Sequence, residues 1–327
     1  MSHGTGDASL PGGCAVSRAR NLAASVDHQL RNLARKNSRP IADVRIRYVL
    51  ERFLYRLSLS QYRDEYVLKG AFVLQALAEP SFRQTRDIDL HGKLHAESQE
   101  VQGHIQAILE QDTSDAPDGL QFVQDSVRMR HFRLGYRLGL EALLGSSRYT
   151  VRVDIAYDDR AVPPPVMQAF PSLLDLPGPT LLCYRPETSI AEKFHVMVDL
   201  GDLNSRMKDY YDIWYMSRLL PVSGHDLTEA LKAVFAHRNT PLPSGLPVGL
   251  SDAFAVRKQS FWETFRNRLH GERGPKEFVC LTRRLQSLLM PLLYALESGL
   301  AVQDQWDASR GHWDSSHPMH PSPTEKV

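Results

Sequence analysis

Apolar residues recur at helical spacing through Leu22, Val26, Leu30 and Leu33, which predicts an amphipathic helix over 18–36 behind a flexible lead of residues 1–17. Val44, Tyr48, Phe53 and Leu57 predict a second helix from Ile41 to Leu59, with Pro40 at its start. The short apolar run Tyr66-Val67-Leu68 then reads as a strand, and Ala71 to Ala78 as a helix closed by Glu79-Pro80. Alternation over 86–90 predicts a strand with Ile88 and Leu90 on one face and Asp87 and Asp89 on the other. A helix follows at 97–110, then a loop at 111–119. Strands are expected at 121–125, 131–144 and 149–157, with Gly145-Ser146-Ser147 turning the last two into a hairpin. The prolines from Pro163 to Pro179 mark an irregular crossing.

Beyond that crossing the periodicity becomes helical, over 187–200, 205–220, 225–237, 256–269 and 277–298, with Gly299 as a stop signal. This is an α/β (α+β) arrangement: a mixed sheet with helices, followed by a mainly helical C-terminal domain. The divisions expected are a basic N-terminal extension over 1–40, a sheet domain over 41–170, a helical domain over 180–305 and a disordered tail over 310–327. His312, His317 and His320 in that tail read as adventitious metal binders at most.

Composition changes this picture little. The chain has 327 residues with 39 basic and 38 acidic side chains, so its total charge neither favours nor excludes a nucleic-acid partner. Three widely spaced cysteines, Cys14, Cys183 and Cys280, form neither a metal knuckle nor a disulfide scaffold, and a reducing, cytoplasmic setting is expected. No apolar run is long enough for a membrane span, and the start lacks a signal-peptide pattern.

The chemistry concentrates in the aspartates. Two carboxylates on one strand face repel unless a cation neutralises them, and magnesium, with manganese as the alternative, is bound by such hard oxygens. The bland alternative is a solvated edge strand. Asp154, in the alternating run Val151-Arg152-Val153-Asp154-Ile155, can supply a third carboxylate if its strand lies beside the first. Three converging carboxylates suit metal-assisted phosphoryl transfer. Asp154 would then assist deprotonation of the attacking hydroxyl. Upstream, Lys69-Gly70 sits at a strand-to-helix turn where backbone can approach a phosphate. Lys193 is placed to reach a triphosphate; Asp209 and Asp212 share a face of the next helix. An interhelical ion-pair network explains these three residues about as well. Tyr210, Tyr211, Trp214 and Tyr215 read mainly as packing.

These segments resemble the AbiEii/AbiGii family of nucleotidyltransferase toxins, within the DNA polymerase beta-like superfamily. Leu68-Lys69-Gly70-Ala71 is similar to the family's phosphate-binding turn. Thr85 to Leu90 resembles its S/T-x-D-x-D motif, Val153-Asp154-Ile155 the third-carboxylate motif, and Ala191-Glu192-Lys193 with Arg206 to Asp212 its helical motifs. Two departures stand out: Ala71 follows the first glycine, and the N-terminal extension before residue 40 is longer than the motif region requires; Thr85, in addition, stands where serine is frequent. The resemblance implies metal ligation by Asp87, Asp89 and Asp154 and catalytic roles for these with Lys193 and Asp209. It also implies nucleotide contacts by Lys69, Gly70, Thr85, Lys193 and Asp212. A nucleoside triphosphate is the expected co-substrate, tRNA the expected acceptor and a cognate antitoxin the expected partner of a monomeric enzyme. Arg128, Arg130, Arg133, Arg137, Arg148 and Arg152 offer a basic patch for RNA, or merely a solvated sheet face. Transfer to a protein or small molecule, and a non-catalytic binding module, are the alternatives.

Overall fold

A computed structural model describes residues 12–77, 83–132, 135–157 and 161–314. Arg133, His317 and His320 fall outside the described residues, as do the lead before residue 12, the tail beyond 314 and the side chains of Arg18 and Arg20. Helix α1 (Gly12–Lys36) begins ahead of its predicted start and is followed by α2 (Ile41–Leu59). The apolar stripe of α1 closes on α2: Val26, Leu30, Val44 and Tyr48 share one small core with Leu144.

The sheet is built from β1 (Tyr66–Lys69), β2 (Asp87–Gly92), β3 (Leu120–Phe132), β4 (Gly135–Leu144), β5 (Ser147–Ala156), β6 (Val166–Ala169) and β7 (Thr180–Cys183). Its order is β3-β4-β5-β2-β1-β7-β6. The β2/β5 and β1/β7 pairs are parallel and the others antiparallel, so the sheet is mixed as expected. Helix α3 (Ala71–Leu77) follows β1, and α4 (Ser98–Leu109) follows β2. Period-two alternation decides the two faces. Ile88, Leu90, Leu138, Leu140, Val151, Val153 and Ile155 are buried on one side, where α2 and α4 add Phe53, Leu57, Val101 and Ile105. The opposite face carries the aspartates.

The second half is helical: α5 (Pro186–Leu200), α6 (Met207–Leu219), α7 (Gly224–His237), α8 (Asp252–Asn267) and α9 (Phe278–Glu297). They enclose a core that contains Phe194, Tyr210, Tyr211, Trp214, Tyr215, Trp262 and Leu285. The four aromatics of α6 are therefore packing residues. Helix α3 bridges the two cores, giving Phe72 and Ala76 to the sheet side and Ala71 and Leu74 to the helical side.

Several local expectations are corrected. The strand expected over 131–144 is two: His131 and Phe132 end β3, and β4 starts at Gly135. A register shift between Val123 and Arg128 breaks the alternation of β3, which is why it reads as two pieces. The proline-rich crossing contains β6 and β7; both are only four residues long, and β6 is an exposed edge strand with little alternation to read. Helix α8 starts at Asp252 rather than 256, because the Ser251 hydroxyl accepts from the Phe254 amide at 3.2 Å. Residues 310–314 are not part of a disordered tail: β8 (Gln305–Asp307) and β9 (His312–Asp314) form a hairpin. Trp306 and Trp313 meet edge to face, 5.3 Å apart, and are buried in the helical core.

Candidate active site

Strand register assembles the site. Asp89 on β2 is paired in parallel with Asp154 on β5 and antiparallel with Lys69 on β1. Asp154 is in turn opposite Arg137 on β4, which faces Arg130 on β3. Directly paired residues point to the same face, so Arg130, Arg137, Asp154, Asp89 and Lys69 form one row across five strands. Asp87, two residues from Asp89, falls in the next row beside Arg152 and Gly139. The three aspartates that the sequence singles out therefore share one face and two adjacent rows.

Each carboxylate has its own environment. Arg137 donates two hydrogen bonds of 2.7 Å to Asp154. Asp87 is 3.9 Å from the Arg152 guanidinium; its Oδ1 is shielded and accepts no hydrogen bond. Asp89 lies deepest. Loss of solvent raises its pKa above the usual carboxylate value; Lys69 opposes that rise and Asp154 adds to it. The Asp87, Asp89 and Asp154 oxygens are not gathered as closely as those of Asp307, His312 and Asp314 on the β8–β9 hairpin, whose ligand atoms lie within 4.8 Å of one another.

Gly70 has a tighter role than its sequence suggests. Its φ is +76°, and a Cβ there would lie 2.1 Å from Asp89 Oδ2. The glycine makes room for the aspartate as well as exposing backbone at the start of α3. Gly70→Ala should therefore lower the melting temperature, through a left-handed backbone cost of about 1 kcal/mol or more, and displace Asp89. An alanine variant with wild-type melting and wild-type turnover would refute this. The Thr85 hydroxyl donates to the Asp87 carbonyl at 3.3 Å and so braces the entry to β2.

The helical half supplies the facing wall. Lys193 on α5 is 3.1 Å from Asp209 and 2.8 Å from Asp212. Arg206 holds Asp209 at 2.6 Å, and Arg83 grips Asp212 with bonds of 2.6 and 2.8 Å. Burial disfavours the Lys193 ammonium, but Asp212 and Asp209 more than offset it, and its pKa is raised. Burial likewise opposes the Asp212 carboxylate, yet Arg83 and Lys193 hold its pKa below the ordinary value. Lys69 reaches back to Glu192 at 3.6 Å. The ion-pair network that sequence offered as an alternative is present, and Lys193 nevertheless lines the cleft.

That cleft encloses about 640 Å³ between the sheet face and α5 and α6. Nine lysine and arginine side chains line it against six carboxylates, an excess of positive charge suited to a polyphosphate. Lys69, Gly70, Thr85, Asp87, Asp89, Asp154, Lys193 and Asp209 all line it. Asp212, for which a nucleotide contact is expected, does not: it is fully buried and paired with Lys193 and Arg83. Arg83, Arg268 and His270 line the cleft without having been singled out by any motif. Arg83 lies 129 residues from Asp212, a pairing that no local pattern reveals.

The family model for the nucleotidyl transferase AbiEii toxin, Type IV TA system, matches residues 52–302. The chain belongs to the AbiEii family. It is thus a nucleotidyltransferase of a toxin–antitoxin system, and the Type IV system implies a cognate antitoxin. The AbiEii match spans every residue of the site from Lys69 to Asp212 and leaves α1 outside. Among solved structures, JHP933 from Helicobacter pylori is 12% identical over 76% of this chain and 93% of its own, with a TM-score of 0.45. A second H. pylori protein, described as a nucleotidyltransferase, is 12% identical over 76% and 92%, with a TM-score of 0.46. No curated protein sequence matches the chain. Among the described residues, no helix of this AbiEii family member is long and apolar enough to cross a membrane.

Proposed function

We propose that this toxin transfers a nucleotide from a nucleoside triphosphate to the 3′ end of tRNA in a magnesium-dependent reaction, and so blocks translation. The observation that carries the reading is the row of Asp154, Asp89 and Lys69 at the floor of a cationic cleft. Asp87, Asp89 and Asp154 fit a divalent cation: they are hard oxygen donors, one Asp87 oxygen is shielded without a hydrogen bond, and Asp89 resists losing its proton for lack of solvent. Bound there, magnesium or manganese would supply charge neutralisation for the attacking and leaving oxygens.

The remaining work falls to the chain's own side chains. The terminal ribose hydroxyl attacks the α-phosphorus, the bond to the β-phosphate oxygen breaks, and pyrophosphate leaves. Asp154, oriented by Arg137, takes the hydroxyl proton. Lys193 faces the triphosphate from α5 as a retained positive charge, while Asp209 and Asp212 hold its ammonium in place. Lys69 and the backbone at Gly70 complete the phosphate cradle. We take the enzyme to act as a monomer, each chain carrying every group that this mechanism uses.

The RNA assignment rests on the arginines. Register puts Arg128, Arg130, Arg137, Arg148 and Arg152 on the same sheet face as Asp89 and Asp154. Reversing charge at Arg128 and Arg130, neither of which touches an aspartate of the site, should raise the KM for RNA on the order of tenfold. The KM for triphosphate should stay put. The decisive test incubates the protein with each labelled triphosphate, magnesium and total tRNA. A parallel sample uses tRNA whose terminal ribose has been oxidised by periodate. Label in intact but not oxidised tRNA is the expected result; equal label in both rules out the terminal hydroxyl. Label appearing in protein or a small molecule instead would move the acceptor to that class.

A further inference from the structure

Beside the aspartate cleft lies a second one, of about 730 Å³, between the start of α6 and the end of α8. The two are continuous: Arg83, Gln84, Arg206, Lys208 and Arg268 line both. Its far wall is one stripe of α8, where Ser260, Phe261, Thr264 and Phe265 fall on the same face by helical spacing. Phe265 is held by Tyr211 and Trp262, with ring centroids 5.7 Å away in each case. Phe261 is different: it is 51% exposed although the core lies immediately behind its helix, and the Lys258 ammonium is 5.4 Å from its ring.

We infer that this second cleft is a nucleoside site, in which a base stacks on Phe261 while its phosphate runs past Arg206, Lys208 and Arg268 towards the aspartates. The inference rests on the reading of the neighbouring cleft as the transfer site. An exposed aromatic ring beside cations, opening directly into a polyphosphate-sized cleft, matches a ligand with a flat apolar face at one end and negative charge at the other. The serine and threonine hydroxyls add polar contacts for a base edge or a ribose. A purely apolar ligand does not suit a cleft with four arginine and lysine side chains on its rim. Both substrates of the proposed reaction carry such a unit: the triphosphate through its own base, the RNA through its terminal nucleotide.

The test compares the wild-type protein with Phe261→Ala and Phe261→Trp, each checked by thermal melting. Phe261 is exposed, so both variants should melt like the wild type. Equilibrium dialysis with magnesium and each of the four labelled triphosphates gives one set of dissociation constants. Fluorescence anisotropy with a single-stranded oligoribonucleotide ending in CCA gives the other. Loss of one stacked base should weaken binding by roughly tenfold to a hundredfold, and tryptophan should restore it. Weakening confined to triphosphates, with preference among the four flattened, assigns the site to the donor base. Weakening confined to the oligonucleotide assigns it to the acceptor end. Constants unchanged in both arms, or no measurable wild-type binding in either, would overturn the inference. Because neither arm requires turnover, a wrong choice of acceptor leaves this test standing, and intact transfer to tRNA with unchanged constants removes the nucleoside site alone.

Discussion

Asp89→Asn is expected to abolish nucleotide transfer and at the same time raise the melting temperature. The two effects have one cause. Asp89 sits half-buried at the floor of the cleft, where partial loss of solvent raises its pKa, and ionising it in the folded chain is harder than in the unfolded one. The sign follows from linkage: a carboxyl whose folded pKa is raised adds its stability below the unfolded value and loses it as pH rises through the folded one. At neutral pH its charge therefore works against the fold, and an uncharged amide of the same shape relieves that cost. Gly70, which a Cβ would drive into Asp89, still accommodates the isosteric amide. Function moves the other way, because an amide is a poor ligand for magnesium and leaves the phosphoryl charge uncompensated. The rate should fall by on the order of a thousandfold or more. Melting followed across pH 4 to 8, with turnover in parallel, checks both. The difference in melting temperature between variant and wild type should widen towards neutral pH. A variant that transfers at near-normal rate would remove Asp89 from the reaction.

Lys193→Ala should lose both activity and stability. Removing a positive charge that faces the triphosphate should cost roughly two to three orders of magnitude in turnover. The same substitution withdraws one cation from Asp209 and one from Asp212. Breaking a buried pair outright costs about 3–5 kcal/mol, but Arg206 stays on Asp209 and Arg83 on Asp212, so the loss should fall below that range. Asp212 also makes the effect depend on pH. Its depressed pKa contributes stability above the unfolded value, which is lost as pH falls through the folded one. The deficit of the lysine variant should therefore be largest at neutral pH and shrink in acid. Lys193→Arg separates the roles: it keeps charge for both aspartates, but places it on a longer, planar group. Melting close to wild type with turnover still depressed is the expected outcome. Full turnover by the folded fraction of Lys193→Ala would reduce the lysine to a strut between α5 and α6.

Local pattern was enough to expose the aspartates. Asp87 and Asp89 alternate with Ile88 and Leu90, and Asp154 alternates with Val153 and Ile155, so each must face away from the buried side whatever the sheet order. The helices of the second half were likewise visible, since their apolar stripes are long. Shorter or interrupted signals failed for identifiable reasons: the register shift hid the length of β3, and prolines and exposure hid β6. Strand β9 falls in the stretch that reads as tail, because one buried tryptophan, Trp313, is its main apolar signal.

What sequence alone determined is therefore the set of charged groups and the face each occupies, because side-chain direction in a strand or helix is a local consequence of backbone geometry. Which charges meet is a different matter. That Asp89 lies beside Asp154 and Lys69 depends on β2 being inserted between β1 and β5, and that Gly70 yields to Asp89 depends on the same pairing of β1 with β2. Arg83 reaches Asp212 across 129 residues, and Asp212 acts from behind Lys193 instead of from the cleft wall. These pairings are long-range, and strand order and interhelix packing arise from burial of the apolar faces as a whole. Only the tertiary structure could decide that the aspartate row and the lysine of α5 face one another across a single cationic cleft.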